Sequence, residues 1–331
     1  MSTTIHNLRS YFATGATQSY VFRIQQLERL KKAVLDAEKQ LYQALYTDLK
    51  KTDEDAWATE VGFFLSELNY TIKHLKDWME PKSVATNLVN MPSSSFTIQE
   101  PLGVVCIIAP WNYPFQLLFT PLIGAIAGGN CAVLKPSEFA PATAAVMQKI
   151  IHSLFPDNYM MYLEGDGATV LPPLLTENRF DHIFYTGSTF VGKIIYKQAA
   201  EKLVPVTLEL GGKNSLIILD DADIELAAEN IAWGAFLHSG QICMTSGKIL
   251  IHQNIYEQVK QRVIEKVKNF VVGNPCESHV TIGPLINAKQ AQRVEQLVNA
   301  AVAEGATLEL GGRADGVFFE PTVLSDVTAN N

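Results

Sequence analysis

From Ser19 to about Lys50 the apolar residues Val21, Ile24, Leu27, Leu30, Val34, Leu41 and Leu45 recur at helical spacing, with Arg, Lys, Glu and Gln between them. This is the pattern of an amphipathic helix that packs along one stripe and meets water along the other. Asp53 to Met79 repeats it through Trp57, Val61, Phe64, Leu68, Ile72, Leu75 and Trp78, and its aromatics are read as core. Between Pro81 and Glu100 the periodicity breaks. There NLVNM and SFTIQE flank Pro92-Ser93-Ser94, which predicts a hairpin of two short strands around a turn cluster.

From Gly103 strand-like and helix-like runs alternate, as an α/β fold with a doubly wound parallel sheet requires. Strands are expected at Val104 to Ala109, Cys131 to Lys135, Tyr159 to Glu164, Asp181 to Tyr185 and Val204 to Leu210. Each is an apolar or β-branched run long enough to be buried on both faces. Helices are expected near Phe115 to Ala127, Ala140 to Leu154, Ala168 to Thr176 and Thr189 to Lys202. After Gly212 a second α/β unit begins: a strand at Ser215 to Leu219, a helix at Ile224 to Leu237, a strand at Lys248 to His252, and helices at Ile255 to Val271 and Gln290 to Glu304. GATLELGGR, Gly305 to Arg313, adds a strand ending in a turn. With 331 residues the chain is long for one core, and the pattern divides it into domains 1–210 and 211–331, with the boundary near Gly211.

Composition narrows the function classes. The net charge of -8 comes without a long acidic or basic block, so no nucleic-acid partner is expected. Four cysteines, Cys106, Cys131, Cys243 and Cys276, form no CxxC pair, which points away from a zinc site or a disulfide framework and towards a reduced, cytoplasmic compartment; no metal is expected. The N-terminus MSTTIHNLRS lacks the apolar core of a signal peptide. Leu117 to Leu134 is 18 residues without a charge, the length of a membrane span. Pro121 and the Gly128-Gly129-Asn130 break divide it into a helix and a strand, so no membrane span is expected.

Candidate chemistry concentrates between Val204 and Thr245. The strand Val204 to Leu210 delivers Glu209 to a Gly-Gly break, and Cys243 follows on a second glycine-flanked turn. A thiol and a carboxylate brought together suit covalent catalysis on a carbonyl carbon. Singly, each has a plainer reading as a buried structural cysteine or a strand-end glutamate. The strand Asp181 to Tyr185 runs into Thr186-Gly187-Ser188-Thr189-Phe190-Val191-Gly192, a G-S-x-x-x-G pattern. It fits either a pyrophosphate at a helix N-terminus or a tight turn before any helix. Lys135 and Glu138, three apart around Pro136, read as a solvated pair or as a fixed turn.

Five stretches, PWNYP (Pro110 to Pro114), KPSE (Lys135 to Glu138), FYTGS (Phe184 to Ser188), LELGGKN (Leu208 to Asn214) and GQIC (Gly240 to Cys243), together resemble the aldehyde dehydrogenase superfamily. The resemblance runs from about Tyr20 to the last residue, and the short N-terminal lead-in makes the chain most similar to the class-3 enzymes of fatty and aromatic aldehydes. It implies attack of the Cys243 thiolate on an aldehyde carbon, with the Asn112 amide and the Cys243 backbone N–H stabilising the oxyanion. Hydride transfer to a nicotinamide would leave a thioester, which water activated by Glu209 would hydrolyse to the carboxylic acid. It also implies a dinucleotide held by Gly187, Ser188 and Val191, by Lys135 and Glu138 at the adenosine ribose, and by Trp111 and Leu210. A carboxylate at Glu138 would accept from a 2′-hydroxyl and repel a 2′-phosphate, favouring NAD, with NADP possible. The hairpin at 81–100 would help to build a homodimer in the full-length protein.

Two departures stand beside the resemblance. After Cys243 the run Met244-Thr245-Ser246-Gly247-Lys248 is more similar to other branches of the superfamily, so the substrate is an aliphatic or aromatic aldehyde of open identity. The chain finishes at FFEPTVLSDVTANN, short of the family's E-x-F-G-P motif. The expectation is therefore a C-terminally truncated aldehyde dehydrogenase, with a cofactor-binding or assembly protein of the same fold that does not turn over as the alternative.

Overall fold

The apolar stripes of the first eighty residues form a helical layer in the computed structural model, which describes residues 2–328. The chain divides into two compact units, one of residues up to Asp48 with Asp53–Leu210, the other of Leu49–Thr52 with the chain from Gly211 on.

In the first unit, α1 (Ser2–Ala13) precedes the expected helices and buries Ile5 and Leu8. Its Arg9 Nη1 meets Asp181 Oδ2 at 3.0 Å. The single helix expected from Ser19 is two, α2 (Tyr20–Asp36) and α3 (Glu38–Leu49). Ala37 leaves helical geometry, but Val34 and Leu41 are both fully buried across the break, so the apolar period does not register it. Next come α4 (Asp53–Ala56), a π-helical turn at Trp57–Val61 and α5 (Gly62–Met79). Phe64 is core as expected, whereas Trp57 and Trp78 are exposed. Trp78 instead completes a ladder with Tyr70 and His74 along the outer face of α5. The hairpin also differs from expectation: β1 (Lys82–Val84) pairs antiparallel with β2 (Ser95–Thr97), and NLVNM forms a 3-10 turn at Leu88–Asn90. The Asn87 side chain caps that turn, and Leu88 and Val89 are exposed, so no buried face demands a strand there.

The sheet follows the alternation of the sequence. Its strands are β3 (Val104–Ile108), β4 (Cys131–Lys135), β5 (Met160–Tyr162), β6 (His182–Gly187) and β7 (Val206–Leu210). The connecting helices are α6 (Gln116–Ala127), α7 (Pro141–Leu154), α8 (Gly167–Glu177) and α9 (Thr189–Ala200). All neighbours are parallel, in the order β5-β4-β3-β6-β7. β3 and β4 are buried at every residue, as a strand covered on both faces must be. β7 is not, contrary to expectation: Glu209 is exposed and its other residues are half-buried, and among the described residues it pairs only with β6. The uncharged stretch from Leu117 is divided by Gly129, whose φ of +75° only glycine adopts without strain, into α6 and β4. No helix among the described residues is long and apolar enough to cross a membrane.

The second unit pairs β8 (Ser215–Ile218) in parallel with β9 (Lys248–Ile251). Beneath one face lie α10 (Ile224–Phe236) and α11 (Tyr256–Val267), with Ile218, Ala228, Ile231, Val259 and Val267 in their core. α10 starts where Asp223 accepts from the Leu226 N–H at 2.9 Å. Further along, α12 (Ala288–Ala303) packs Ala291 and Val298 against Leu285 and Phe319. The expected strand after Gly305 is β10 (Thr307–Leu310); a short pair, β11 (Ala314–Asp315) with β12 (Phe318–Phe319), follows, and β13 (Val323–Ser325) returns antiparallel to β10.

Candidate active site

In an all-parallel sheet every strand ends at the same edge, and ligands bind where connections leave a strand pair in opposite directions. Here that point lies between β3, which leads away to β4 and β5, and β6, which leads to β7. After β3 the chain enters the loop Pro110–Phe115. Trp111 is half-buried there, and Asn112 is buried at 9% exposure. Ile108 at the end of β3 is in register with both Lys135 and Tyr185. Across β6 and β7, Thr186 is in register with Glu209 and Gly187 with Leu210. The fold therefore gathers the Asn112 loop, Lys135, Gly187, Ser188, Glu209 and Leu210 along one sheet edge.

Ser188 caps α9, its Oγ accepting from the Val191 N–H at 3.3 Å while its carbonyl accepts from Gly192 at 2.9 Å. A Cβ on Gly187 would lie 2.3 Å from the Tyr185 hydroxyl, and one on Gly192 would lie 2.9 Å from Leu210 Cδ2. Gly192 is thus demanded by close packing of α9 on β6 and β7, and Gly187 by the Tyr185 hydroxyl of its own strand. Thr186 is also buried at this edge, and its hydroxyl has no hydrogen-bond partner among the described residues. An orphaned hydroxyl beside a helix N-terminus fits a polar, anionic ligand.

Lys135 corrects the reading of a solvated pair. It is 2% exposed at the end of β4, its ammonium donating to the Pro136 carbonyl at 2.6 Å and to Glu138 Oε2 at 3.1 Å. Glu138 itself is exposed beyond the turn. A cationic donor held against a carboxylate acceptor is the donor set that vicinal hydroxyls of a ribose require. No group of three or more metal-ligating side chains occurs among the described residues.

Glu209 is exposed near the end of β7. Cys243 belongs to the second unit and is exposed, whereas Cys106 and Cys131 are buried, so the structural reading of Cys243 as a core residue is set aside. Its turn is tightly specified. His238 (φ 51°), Ser239 (φ 57°) and Gly240 (φ 73°) take left-handed backbone conformations in succession. Two of these are not glycine, a costly arrangement of the kind found at functional sites. Ser239 Oγ donates to the Gly283 carbonyl at 2.8 Å, and Gln241 Oε1 accepts from the Ile286 N–H at 2.9 Å. Thr245 Oγ1 accepts from Ile242 and donates to the Gly240 carbonyl. Asn214, from the LELGGKN motif, donates its side-chain amide to the carbonyl of Cys243 at 2.6 Å. The thiol thus stands on a turn braced from three segments.

Sequence reasoning met Thr186 inside FYTGS but gave it no role, since a threonine beside a glycine carries no signal of its own. It missed His238, whose pKa is pushed down to about 3 by burial first and by the Lys51 ammonium second.

A profile of the aldehyde dehydrogenase family matches residues 4–331. The chain is 39% identical over 328 residues to 4,4'-diaponeurosporen-aldehyde dehydrogenase of Staphylococcus aureus, covering 98% of this chain and 70% of that protein. It is 40% identical over 328 residues to the dimeric NADP-preferring aldehyde dehydrogenase of Rattus norvegicus, covering 99% of this chain and 71% of that one. Among solved structures, substrate-bound Staphylococcus aureus AldH superposes with a TM-score of 0.90 at 39% identity, covering 99% and 71% of the two chains. Betaine aldehyde dehydrogenase of Staphylococcus aureus in complex with NAD+ gives a TM-score of 0.90 at 30% identity, covering 99% and 66%.

Proposed function

The chain belongs to the aldehyde dehydrogenase family, and from that premise we propose that it oxidises an aliphatic or aromatic aldehyde to the carboxylic acid through an acyl group carried on Cys243. What carries this reading is the exposure of Cys243 on a braced turn, in a chain whose other motif residues line the carboxyl edge of a parallel sheet. A nicotinamide dinucleotide, NAD or NADP, supplies the oxidising equivalent when bound. Gly187, Ser188 and Val191 would hold its pyrophosphate, Lys135 and Glu138 its ribose hydroxyls, and Trp111 and Leu210 would pack against it.

The Cys243 thiolate forms a C–S bond to the aldehyde carbon, and the carbonyl π electrons move to oxygen. The Asn112 amide and the Cys243 backbone N–H donate to that oxyanion, each typically worth ~3–4 kcal/mol in such sites. Once the carbon is oxidised, the acyl group stands as a thioester. Glu209, reached by water because it is exposed, takes a proton from a water molecule as the water oxygen attacks the acyl carbon. The C–S bond then breaks, the acid leaves and the thiolate is restored. Leu88, Val89, Met91 and Phe96 stand exposed on the β1–β2 hairpin, and they support a homodimer of the kind the rat relative's name describes.

The test is a rapid-mixing assay of reduced cofactor with the complete protein and a panel of aldehydes. Cys243→Ser is expected to form none. Glu209→Gln is expected to give one stoichiometric burst and then stop, and full steady-state turnover in that variant would remove the base assignment.

A further inference from the structure

Glu60 is fully buried in the first unit, in the π-helical turn Trp57–Val61. π turns are rare and concentrate at functional sites, which raises the question of what this one aims. Its Oε2 accepts the Gln116 N–H at 2.8 Å, across 56 residues of sequence. Gln116 is the first residue of α6, and Phe115 at the N-cap position makes no side-chain cap bond. The carboxylate from the helical layer therefore does for α6 what a serine or aspartate at the N-cap does for most helices.

The aim of Glu60 is built into the turn. The Gly62 N–H bonds back to the Trp57 carbonyl, and a Cβ on Gly62 would lie 2.7 Å from that oxygen and 3.0 Å from the Trp57 ring. Only glycine allows the wide turn that carries Glu60 towards α6. Beyond it Phe64 packs edge-on against Phe115 at 5.2 Å, so α5 and the start of α6 are fixed to each other on both sides of the carboxylate.

What α6 holds is the loop Pro110–Phe115. The Leu117 N–H donates to the Tyr113 carbonyl at 3.0 Å and the Phe119 N–H to the Phe115 carbonyl at 2.9 Å, which joins the end of the loop to the first turns of the helix. Asn112 lies directly before these joined residues and is itself buried. An oxyanion donor contributes only as far as its position is fixed before reaction, so the residue that anchors its loop affects the rate without touching substrate.

We propose that Glu60 is a positioning residue for the oxidation, holding Asn112 in place by capping α6 across the layer. The proposal rests on the reading in which Asn112 donates to the oxyanion, and its test separates the two. Hydrogen exchange of the amides of residues 111–120, followed by mass spectrometry on the complete protein, reads the cap without any turnover. Glu60→Ala is expected to speed exchange there about tenfold, and Glu60→Gln, whose carbonyl oxygen still accepts, to preserve most of the protection. Should Glu60→Ala fail to fold, Glu60→Met fills the same volume without an acceptor and is expected to exchange as fast. Unchanged exchange in the acceptor-less variant overturns the proposal.

The rate of the first burst of reduced cofactor supplies the functional arm. Glu60→Ala is expected to slow it about tenfold with little change in the Kd for NAD, and Glu60→Gln to recover most of the rate. In an Asn112→Ala background, Glu60→Ala is expected to add nothing, because the residue it positions is gone. Multiplicative losses in the double variant would show that Glu60 acts elsewhere and would overturn the proposal. Absence of reduced cofactor in the unmodified protein would defeat the oxidation reading instead, and the exchange result would still decide the cap.

Discussion

Replacing Asp48 by alanine tests how far the helical layer stabilises the cofactor side of the first unit. Asp48 Oδ1 accepts from the Ala142 N–H at 3.1 Å, and Oδ2 accepts from the Thr143 N–H at 2.7 Å and the Thr143 hydroxyl at 2.8 Å. These are the first amides of α7, which has no cap of its own: Ala140 makes no side-chain bond, and Pro141 has no N–H to satisfy. Losing an N-cap costs ~0.5–2 kcal/mol, and stranding the fully buried Thr143 hydroxyl adds ~1–3 kcal/mol. The two overlap because they share one carboxylate, so Asp48→Ala is expected to destabilise by about 2–4 kcal/mol. For a unit of this size that lowers Tm by roughly 5–15 °C. Asp48→Asn keeps one acceptor oxygen and is expected to lose about half as much. Urea unfolding followed by circular dichroism measures both. A stability of Asp48→Ala within about 0.5 kcal/mol of the parent, the range of an ordinary surface substitution, would refute the reasoning. Because α7 begins just after the Lys135–Glu138 turn, the same variant is expected to bind NAD more weakly, as isothermal calorimetry would read.

Two further outcomes follow from particular side chains. Thr186→Val removes a buried hydroxyl that has no partner among the described residues, so it is expected to leave the free protein's Tm unchanged or raised while weakening NAD binding severalfold. Equal affinity would show that this hydroxyl is not kept for a ligand. His238 is held neutral in the folded protein, its pKa of about 3 lying below the ordinary 6.5. As pH falls through about 6.5 the unfolded chain takes up a proton that the folded chain does not, so stability is lost progressively between about pH 6.5 and about pH 3. At 1.36 kcal/mol per unit, this residue contributes about 2–3 kcal/mol to the loss between pH 7 and about pH 4.5. His238→Asn, which tolerates the same left-handed backbone, is expected to flatten the profile by that amount, and an unaltered urea profile would refute it.

What the sequence made legible follows from how strongly burial constrains each segment. β3 and β4 were readable almost to the residue, because a strand covered on both faces is a nearly continuous apolar run, and each run here is followed by a proline- or glycine-bearing turn, with Lys135 as the one charge carried into the buried end of β4. The break at Ala37 was hidden because it preserves the phase of the apolar stripe. Leu88 and Val89 misled because β-branched and aliphatic residues mark a strand only when something buries them. The motifs brought Lys135, Gly187, Ser188 and Glu209 to notice, yet their type alone did not show that Lys135 is buried or that Gly187 is pressed against the Tyr185 hydroxyl. Glu60 and Asp48 gave no sign in one dimension, and Thr186 stood in FYTGS without a role of its own. Their roles depend on partners 56 and 95 residues away or on the lack of a partner among the described residues, and neither leaves a local pattern.

The remote caps bear on the order in which the protein is made. A helix that carries its own N-cap can start as soon as it is synthesised, whereas α6 and α7 need carboxylates supplied by residues that precede them by 56 and 94 positions. Because synthesis runs from the N-terminus, Asp48 and Glu60 have left the ribosome before either helix appears. Each helix then emerges beside a layer that already holds its cap, and a distant contact that would be slow to find in a refolding chain is brought forward during translation. Shortening the chain from its N-terminus past Glu60 would remove both acceptors and leave α6 and α7 to start without their caps.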